Sequence, residues 1–385
     1  MLLGELDRVF VYQLDNQNFT LLGIVDEIIS AKWGKHYNKY SEVSFNVIPS
    51  DKNIDLLRKG RVLWIGGDNA ARIDIVEKSE SDGNITLQVK GQTLEKLLTQ
   101  RILHASFNFQ NRYISKAITA MVQYSCITPA RLSPTETEEQ AAKSIIPYLE
   151  LMENVPDIGR QINGILWRGA LYEKVKAYAD SEENVGFEIL FRPETQKLIF
   201  QVYEGQDHTI DSNSPVVFSD NMDSILNLDF YNSIRDYKNL AYVFGEGEAQ
   251  NRRWNKAGDD TTTGFDRFED FIDARDIQSE GEEGQTIPDA EYMEMLANRG
   301  LEKLGEQKEV ETVSGKLDVD NSMFKYGIDY KLGDMITVVH NSLGIQIDAK
   351  VTGVEETIGS NSISTELIVG YEMRTLSEKM KTLYG

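Results

Sequence analysis

Leu332-Gly333-Asp334-Met335-Ile336-Thr337-Val338, then Ile347-Asp348-Ala349-Lys350-Val351-Thr352-Gly353-Val354-Glu355-Glu356, then Glu366-Leu367-Ile368-Val369-Gly370 is the stretch whose reading decides the fold. Its apolar runs are broken by turn residues, as in short antiparallel strands. The same order occurs much earlier, in Lys59-Gly60-Arg61-Val62-Leu63-Trp64-Ile65, then Ala71 to Glu77, then Ile85 to Gly91. Each copy runs glycine, apolar strand, turn, strand ending in Val-Glu, turn, strand ending in Gly. The closing interval is 14 residues from Glu77 to Gly91 and 15 from Glu355 to Gly370. Two copies of one β-domain, separated by α/β insertions, is the reading. A chance likeness between two three-stranded meanders is the alternative.

Outward from the first copy, Val9-Phe10-Val11-Tyr12, Thr20 to Val25 and the alternating Val43, Phe45 and Val47 read as further strands, with a helical turn or two at Asn53 to Arg58 and a closing helix at Thr93 to Leu98. The result is a small antiparallel barrel or sandwich. From Ile114 the period becomes helical: Ile114, Ala117, Ile118 and Met121 share a face, as do Leu171, Val175 and Tyr178, ahead of a strand pair at Val185 to Phe191 and Lys197 to Tyr203. Residues 130–165 show no period and read as loop with short helices. Strands resume at Val216 to Ser219, Ile225 to Tyr231 and Leu240 to Gly245. A helix is predicted from Pro288, with Asp289 and Glu291 near its positive end and Tyr292, Met295, Leu296 and Leu301 facing inward.

The chain has 385 residues with 40 Lys+Arg against 62 Asp+Glu, a net charge of −22. That is too acidic for an unassisted grip on nucleic acid or an anionic lipid leaflet, both of which recruit cations. Half of the excess lies in Asp259 to Glu294, where 13 acidic residues face only Arg267 and Arg275. Such a run reads as a solvated face or loop. The single Cys126 excludes an intramolecular disulfide and Cys-rich zinc sites. The N-terminus lacks the basic region of a secretory signal, and no window approaches a membrane span, so synthesis as a soluble cytoplasmic protein is expected.

Catalytic chemistry finds few carriers. Cys126 follows an apolar helix, as a buried small hydrophobe would. His36, His104, His208 and His340 lack metal-ligand spacing. Gly245-Glu246-Gly247 carries an acid where a pyrophosphate would sit and reads as a strand-end turn. Paired carboxylates with Trp33, Trp64, Trp167 and Trp254 lining a sugar cleft would make a glycan-cleaving enzyme, although tryptophans in strands are more often core. No residue is assigned a catalytic, cofactor-binding or metal-binding role, no cofactor is expected, and the protein is read as not an enzyme.

Several segments resemble the siphophage Gp37-like family of tail proteins: Gln201-Val202-Tyr203-Glu204-Gly205-Gln206-Asp207-His208-Thr209, Val216-Val217-Phe218-Ser219, Asp236-Tyr237-Lys238-Asn239-Leu240-Ala241-Tyr242-Val243, Tyr330 to Val338 with Ile347 to Glu356, and Val89 to Arg101. The family is similar to the baseplate hub of contractile-tailed phages and to the N-terminal part of tail-associated lysins. The resemblance implies an α+β, mainly β fold with two tail-tube-like β-barrel domains and α/β insertions, assembled as a homotrimer so that six similar barrels meet a hexameric ring. The repeat, read from the residues alone, is what such symmetry matching requires.

The implied organisation is a first barrel at 1–100, an α/β insertion at 101–215, a second barrel at 216–258 and 310–375, a small acidic insertion at 259–309, and a tail at 376–385 with an amphipathic stretch around Leu376, Met380 and Leu383. The implied role is a virion hub at the distal end of a long phage tail, synthesised in the host cytoplasm. Its expected partners are the distal tail protein hexamer or tube ring, the tape measure C-terminus, and receptor-binding or fibre proteins. DNA is a transient passenger through an acid-lined channel that does not hold phosphate, and no stable membrane insertion is expected. With no extension after the second β-domain, a lysin or adhesin would be a separate chain. The alternatives are a tail-associated cell-wall or glycan-cleaving enzyme and a receptor-binding module.

Overall fold

The computed structural model describes all residues except 1–7, 26, 82–83, 167, 182–183, 221–226, 249–250, 280–286, 318–322, 360–362 and 371–385. The first copy of the repeat contains β1 (Val9–Leu14), β2 (Phe19–Val25), β3 (Ile28–His36), β4 (Glu42–Val47), β5 (Val62–Trp64), β6 (Ala70–Ser81) and β7 (Asn84–Thr93). Between β4 and β5 lies α1 (Asp51–Leu56), started by the Ser50 hydroxyl, which accepts a hydrogen bond from the Asn53 amide. Val43, Phe45 and Val47 are buried while the residues between them are not, as their alternation predicts.

The middle of the chain adds β8 (Phe107–Tyr113), α2 (Ile114–Val122), α3 (Glu138–Ala141), β9 (Leu149–Leu151), β10 (Gln161–Leu166), α4 (Leu171–Asp180), β11 (Gly186–Arg192) and β12 (Lys197–Tyr203). Strands β8 and β10 pair with each other, and β11, β12 and β9 form a separate sheet. Ile114, Ala117, Ile118 and Met121 of α2 are fully buried, as their period predicts. Thr93 to Leu98, expected as an α-helix, begins a tighter 3₁₀ segment that starts at Leu94.

The last part contains β13 (Asp207–His208), β14 (Val217–Ser219), β15 (Asn227–Ser233), β16 (Leu240–Phe244), β17 (Trp254–Gly258), β18 (Glu269–Asp273), α5 (Asp289–Gly305), β19 (Val310–Leu317), β20 (Met335–His340), β21 (Ile345–Ile358) and β22 (Ile363–Gly370). Strands β17, β16 and β18 form a sheet of their own. Helix α5 covers one of its faces with Tyr292, Met295 and Leu296, all buried as predicted, while Leu301 packs there partly buried. Leu240–Phe244 and Trp254–Gly258, read from sequence with the second β-domain, therefore pair within this smaller unit. They reach it because the chain leaves the main sheet after β15 and returns at β19.

The architecture is mainly β, but the sheet does not close into two barrels. The strands of both copies form one 14-stranded sheet in the order β15-β19-β22-β21-β3-β4-β7-β6-β5-β1-β2, with β13, β14 and β20 branching from it at β21. Among the described residues, the end strands β15 and β2 do not pair. Closure fails because the free edge of β3 hydrogen-bonds to β21 of the other copy. One core accordingly draws on both copies, with Trp33, Phe45, Ile73 and Val89 packed alongside Phe218, Ile336, Val351 and Val354.

Tyr37, just past β3, ties three parts together. Its amide donates to the Thr352 carbonyl at 2.9 Å, and its own carbonyl accepts from the Phe187 amide at 3.1 Å. Its hydroxyl donates to the Tyr203 carbonyl at 3.2 Å. The ring lies so close to Gly186 and Gly333 that a Cβ at either would come within 2.3 Å of it. Tyr37→Ala should therefore cost about 3 kcal/mol or more, read as a lower urea midpoint with an unchanged slope. An effect below about 1 kcal/mol would show that the three parts are held together elsewhere.

Candidate assembly interface

The two copies match in register as well as in order. Glu77 pairs with Gln88 where Glu355 pairs with Glu366, and Ile73 pairs with Gly91 where Val351 pairs with Val369. A constant displacement of 278 residues relates both ladders. The bulges coincide too, between Ile73 and Ile75 in one copy and between Val351 and Gly353 in the other. Bulges are local, designed kinks, so their coincidence separates a true repeat from two similar meanders. The ladder corrects one detail of the sequence reading: Gly370 occupies the place of Gln92, not Gly91, because pairing and not the terminal glycine sets the alignment.

The match extends outward. Strand β19 pairs with β22 as β4 pairs with β7, and β15 pairs with β19 as β3 pairs with β4. Thus β15 is the counterpart of β3, with Phe230 opposite Val313 where Trp33 is opposite Val43. Residues 234–309 fill the place that Tyr37 to Ser41 occupy in the first copy. The match ends at the strands beyond β5 and β20, since β1 joins β5 antiparallel while β14 joins β20 parallel.

One joint between copies lies within the chain. The edge of β21 that takes β20 at residues 345–350 takes β3 at 353–358, pairing Gly353 with His36, Glu355 with Gly34 and Ile358 with Ala31. On the inner face, Trp33, Val354 and Glu356 are buried. On the outer face, Lys32 and Glu355 form an ion pair of 2.8 Å. Gly353 is required there because a Cβ would come within 2.7 Å of the His36 ring.

The counterparts of these strands are open. On β6, beyond residues 70–72 that take β5, the edge from Asp74 to Ser81 has no strand among the described residues, and β15 has none on the side away from β19. Trp33 is 0% exposed at the internal joint, whereas its counterpart Phe230 is 38% exposed, Tyr231 is 41% and Ile75 is 45%.

Beside the joint lies a buried polar group. Lys35 and Glu188 form an ion pair of 2.8 Å, and Glu188 also accepts from the Gln201 amide at 2.6 Å. Burial alone would lower the Lys35 pKa, but the Glu188 charge overrides it and raises it. Glu95 accepts from the Ile189 amide at 2.8 Å, and burial pushes its carboxyl above the usual range.

The residues weighed for chemistry are dispersed. Cys126 is fully buried, and burial pushes its thiol up to about 12, so it is not a thiolate at neutral pH. His104 contacts the Ala130 carbonyl at 3.0 Å, His208 contacts the Ser214 carbonyl at 2.8 Å, and His340 lies 3.3 Å from Asp220. His36 contacts Ser41. No group of three metal-ligating side chains occurs among the described residues. Gly245-Glu246-Gly247 is the turn after β16. The Tyr292 hydroxyl fills it, accepting from the Glu246 amide at 2.8 Å and donating to the Ile277 carbonyl at 2.9 Å.

Trp33 is core, Trp64 packs among Phe10, Tyr12 and Phe191, and Trp254 is exposed beside Phe244. Trp167 lies outside the described residues, as do 371–385 with the amphipathic stretch. A cavity of about 50 Å³ between Arg160, Tyr178, Met295 and Arg299 has room for a water or two, not for a sugar.

The acidic segment is exposed as expected at Asp259, Asp260, Asp266, Glu269, Asp273 and Asp276, while Ile272, Ala274 and Ile277 turn into the α5 core. Its charge is partly met by cations outside it: Lys256 pairs with Asp260 at 2.7 Å, Arg299 with Asp276 at 2.8 Å, and Arg252 with Asp273.

Compared with known proteins, residues 8–371 match the family model described as Siphovirus ReqiPepy6 Gp37-like protein. The chain belongs to this family. It is a phage tail or baseplate-type protein, which fits a virion component. Its fold is shared with a tail protein from Neisseria meningitidis, at 13% identity and TM-score 0.52 over 95% of this chain and 96% of that one. It is also shared with the prophage MuSo2 43 kDa tail protein of Shewanella oneidensis, at 10% identity and TM-score 0.53 over 94% and 98%. Prophage tail protein gp18 from Listeria monocytogenes matches at 10% identity and TM-score 0.51 over 98% and 100%. No curated protein sequence matches.

Two measurements probe the polar features. Lys35→Met leaves Glu188 buried without its cation and should cost about 3 kcal/mol in chemical denaturation. Adding Glu188→Leu should recover part of that loss, and no recovery would mean that the charge pairing is immaterial. Asp273 is held down to about 2 from 3.8, chiefly by hydrogen bonds from Arg275 and then Arg252. A carboxylate depressed in the fold stabilises it above the unfolded pKa and ceases to as pH falls through the folded one. The melting temperature should therefore drop between pH 4 and pH 2, with a shallower drop in Asp273→Asn.

Proposed function

We propose that this protein is a structural baseplate hub or tail-tip protein of a long-tailed phage: a homotrimer at the distal end of the tail that adapts a sixfold tube or distal tail ring to threefold tip components. The observation that carries this reading is the register-matched repeat joined within one sheet. A chain with two equivalent β-units supplies six of them in a trimer, enough to meet each subunit of a hexameric ring with a similar surface. The two halves of the sheet then act as tube-like units, with residues 94–203 and 234–309 as insertions outside them. The tape measure C-terminus above and receptor-binding or fibre proteins below are the remaining expected partners.

The outer face of the sheet suits a wall past which DNA slides. Glu42, Glu77, Glu355 and Glu366 alternate out of the core there, with Lys32 and Lys90 among them, and Lys90 lies 3.4 Å from Glu77. Paired lysines and an excess of carboxylates leave little free cation to retain phosphate. The acidic insertion is separate from that face in sheet and core, so its 11 net negative charges need not line a channel. We read the protein as non-enzymatic, since no described group is arranged for turnover.

Native mass spectrometry and light scattering of the purified chain should give three copies. A monomer in solution that also appears singly in images of intact tail tips would sink the hub reading.

A further inference from the structure

We infer that neighbouring protomers join through one continuous β-sheet, with the open edge of β6 in one chain pairing antiparallel with the open edge of β15 in the next, in the register of the internal joint. The argument starts from that joint. Strand β21 binds β3 along residues 353–358. The counterpart of β21 is β6 and the counterpart of β3 is β15, and both of these edges are free among the described residues. A two-unit chain with one internal joint thus carries the two halves of a second such joint at its ends. Each half is complementary to the other, not to itself, so the contact is head-to-tail.

The register follows by displacement. Gly353 opposite His36 becomes Ile75 opposite Ser233, Glu355 opposite Gly34 becomes Glu77 opposite Tyr231, and Glu356 opposite Trp33 becomes Lys78 opposite Phe230. The first substitution is compensatory. The internal joint seats a glycine against a large ring, and the outer one seats a large residue against a small one. Exposure points the same way, because Phe230 stands where Trp33 is sealed. An unpaired edge of eight residues with exposed Ile75, facing no proline in β6, is otherwise an invitation to indiscriminate pairing. Within one chain β6 and β15 lie seven strand places apart at about 4.8 Å each, so they do not satisfy one another in the open sheet. Main-chain pairing supplies the affinity, and the register of side chains supplies the specificity.

This inference rests on the hub reading only for the number of chains in the ring. It is tested with the full chain carrying Glu77→Cys and Tyr231→Cys together, oxidised and run on a non-reducing gel. Directly opposed residues lie about 4.5 to 5.5 Å apart at Cα, within disulfide reach. Fully buried Cys126 does not compete. Glu77→Cys with Ser233→Cys displaces the pair by two residues, about 7 Å along the strand, and each single variant serves as a further control.

The matched pair should give covalent trimers in high yield, the shifted pair several-fold less, and the single variants none. A trimer by light scattering whose matched pair stays unlinked overturns this inference and leaves the hub reading intact. Linking at the matched pair into dimers or tetramers keeps the edge pairing and overturns the trimer. Equal linking by the shifted pair overturns the register. A monomer that links internally or not at all overturns both.

Discussion

The structure depends on a short stretch of backbone, residues 28–37, where β3 hydrogen-bonds β4 on one side and β21 on the other and then delivers Tyr37 into the angle between three parts of the chain. Backbone groups removed from water must find partners, and those of β3 find them in a strand more than 300 residues away in sequence. That single ladder turns what would be two separate β-units into one sheet over one core. Because Gly186, Gly333 and Gly353 allow backbone approach that any side chain would block, the joint is fixed in position as well as in pairing.

Two equivalent units inside one chain need not be equal in sequence, and the differences follow position. Trp33 is sealed by the neighbouring unit, while Phe230 at the same place is open. Gly353 accommodates a histidine ring, while Ile75 at the same place faces outward. The long insertion at 234–309 enters where the first copy needs only a short connection, so it adds a unit with its own core without disturbing the ladders around it. Its carboxylates are compensated locally by Arg252, Arg253 and Arg299, which confines their effect: screening limits such exposed charges to about 10 Å at ordinary ionic strength.

Much of the local structure was legible. Helices α2, α4 and α5 follow from apolar residues at three- and four-residue spacing, and β4 from alternation over six residues, because both periods reflect backbone geometry that does not depend on the rest of the fold. Strands β8, β9 and β10 were not legible. Leu149–Leu151 is too short to show a period, and β8 alternates weakly, since only Phe109 in it is buried. The helical face of α2 was clear, but the 3₁₀ form of Leu94–Gln100 was not, because both helices share similar spacings over one turn. The interface itself was half legible: the repeat is present as a pattern of glycines and Val-Glu pairs, but the one-residue difference between 14 and 15 hid its true alignment.

By itself the sequence determined the mainly β character, the repeat, the family and the absence of a thiol or histidine constellation, because each of these is a matter of local spacing or residue count. Only the tertiary structure decided which strands share a sheet, that the two copies fuse through β3 and β21 in place of closing separately, and that Leu240–Phe244 belongs to the acidic unit. Strand alternation specifies which face of a strand is apolar, but every strand offers the same donors and acceptors along its edges. Which edges meet is settled by the packing of whole units, and no window of sequence contains it.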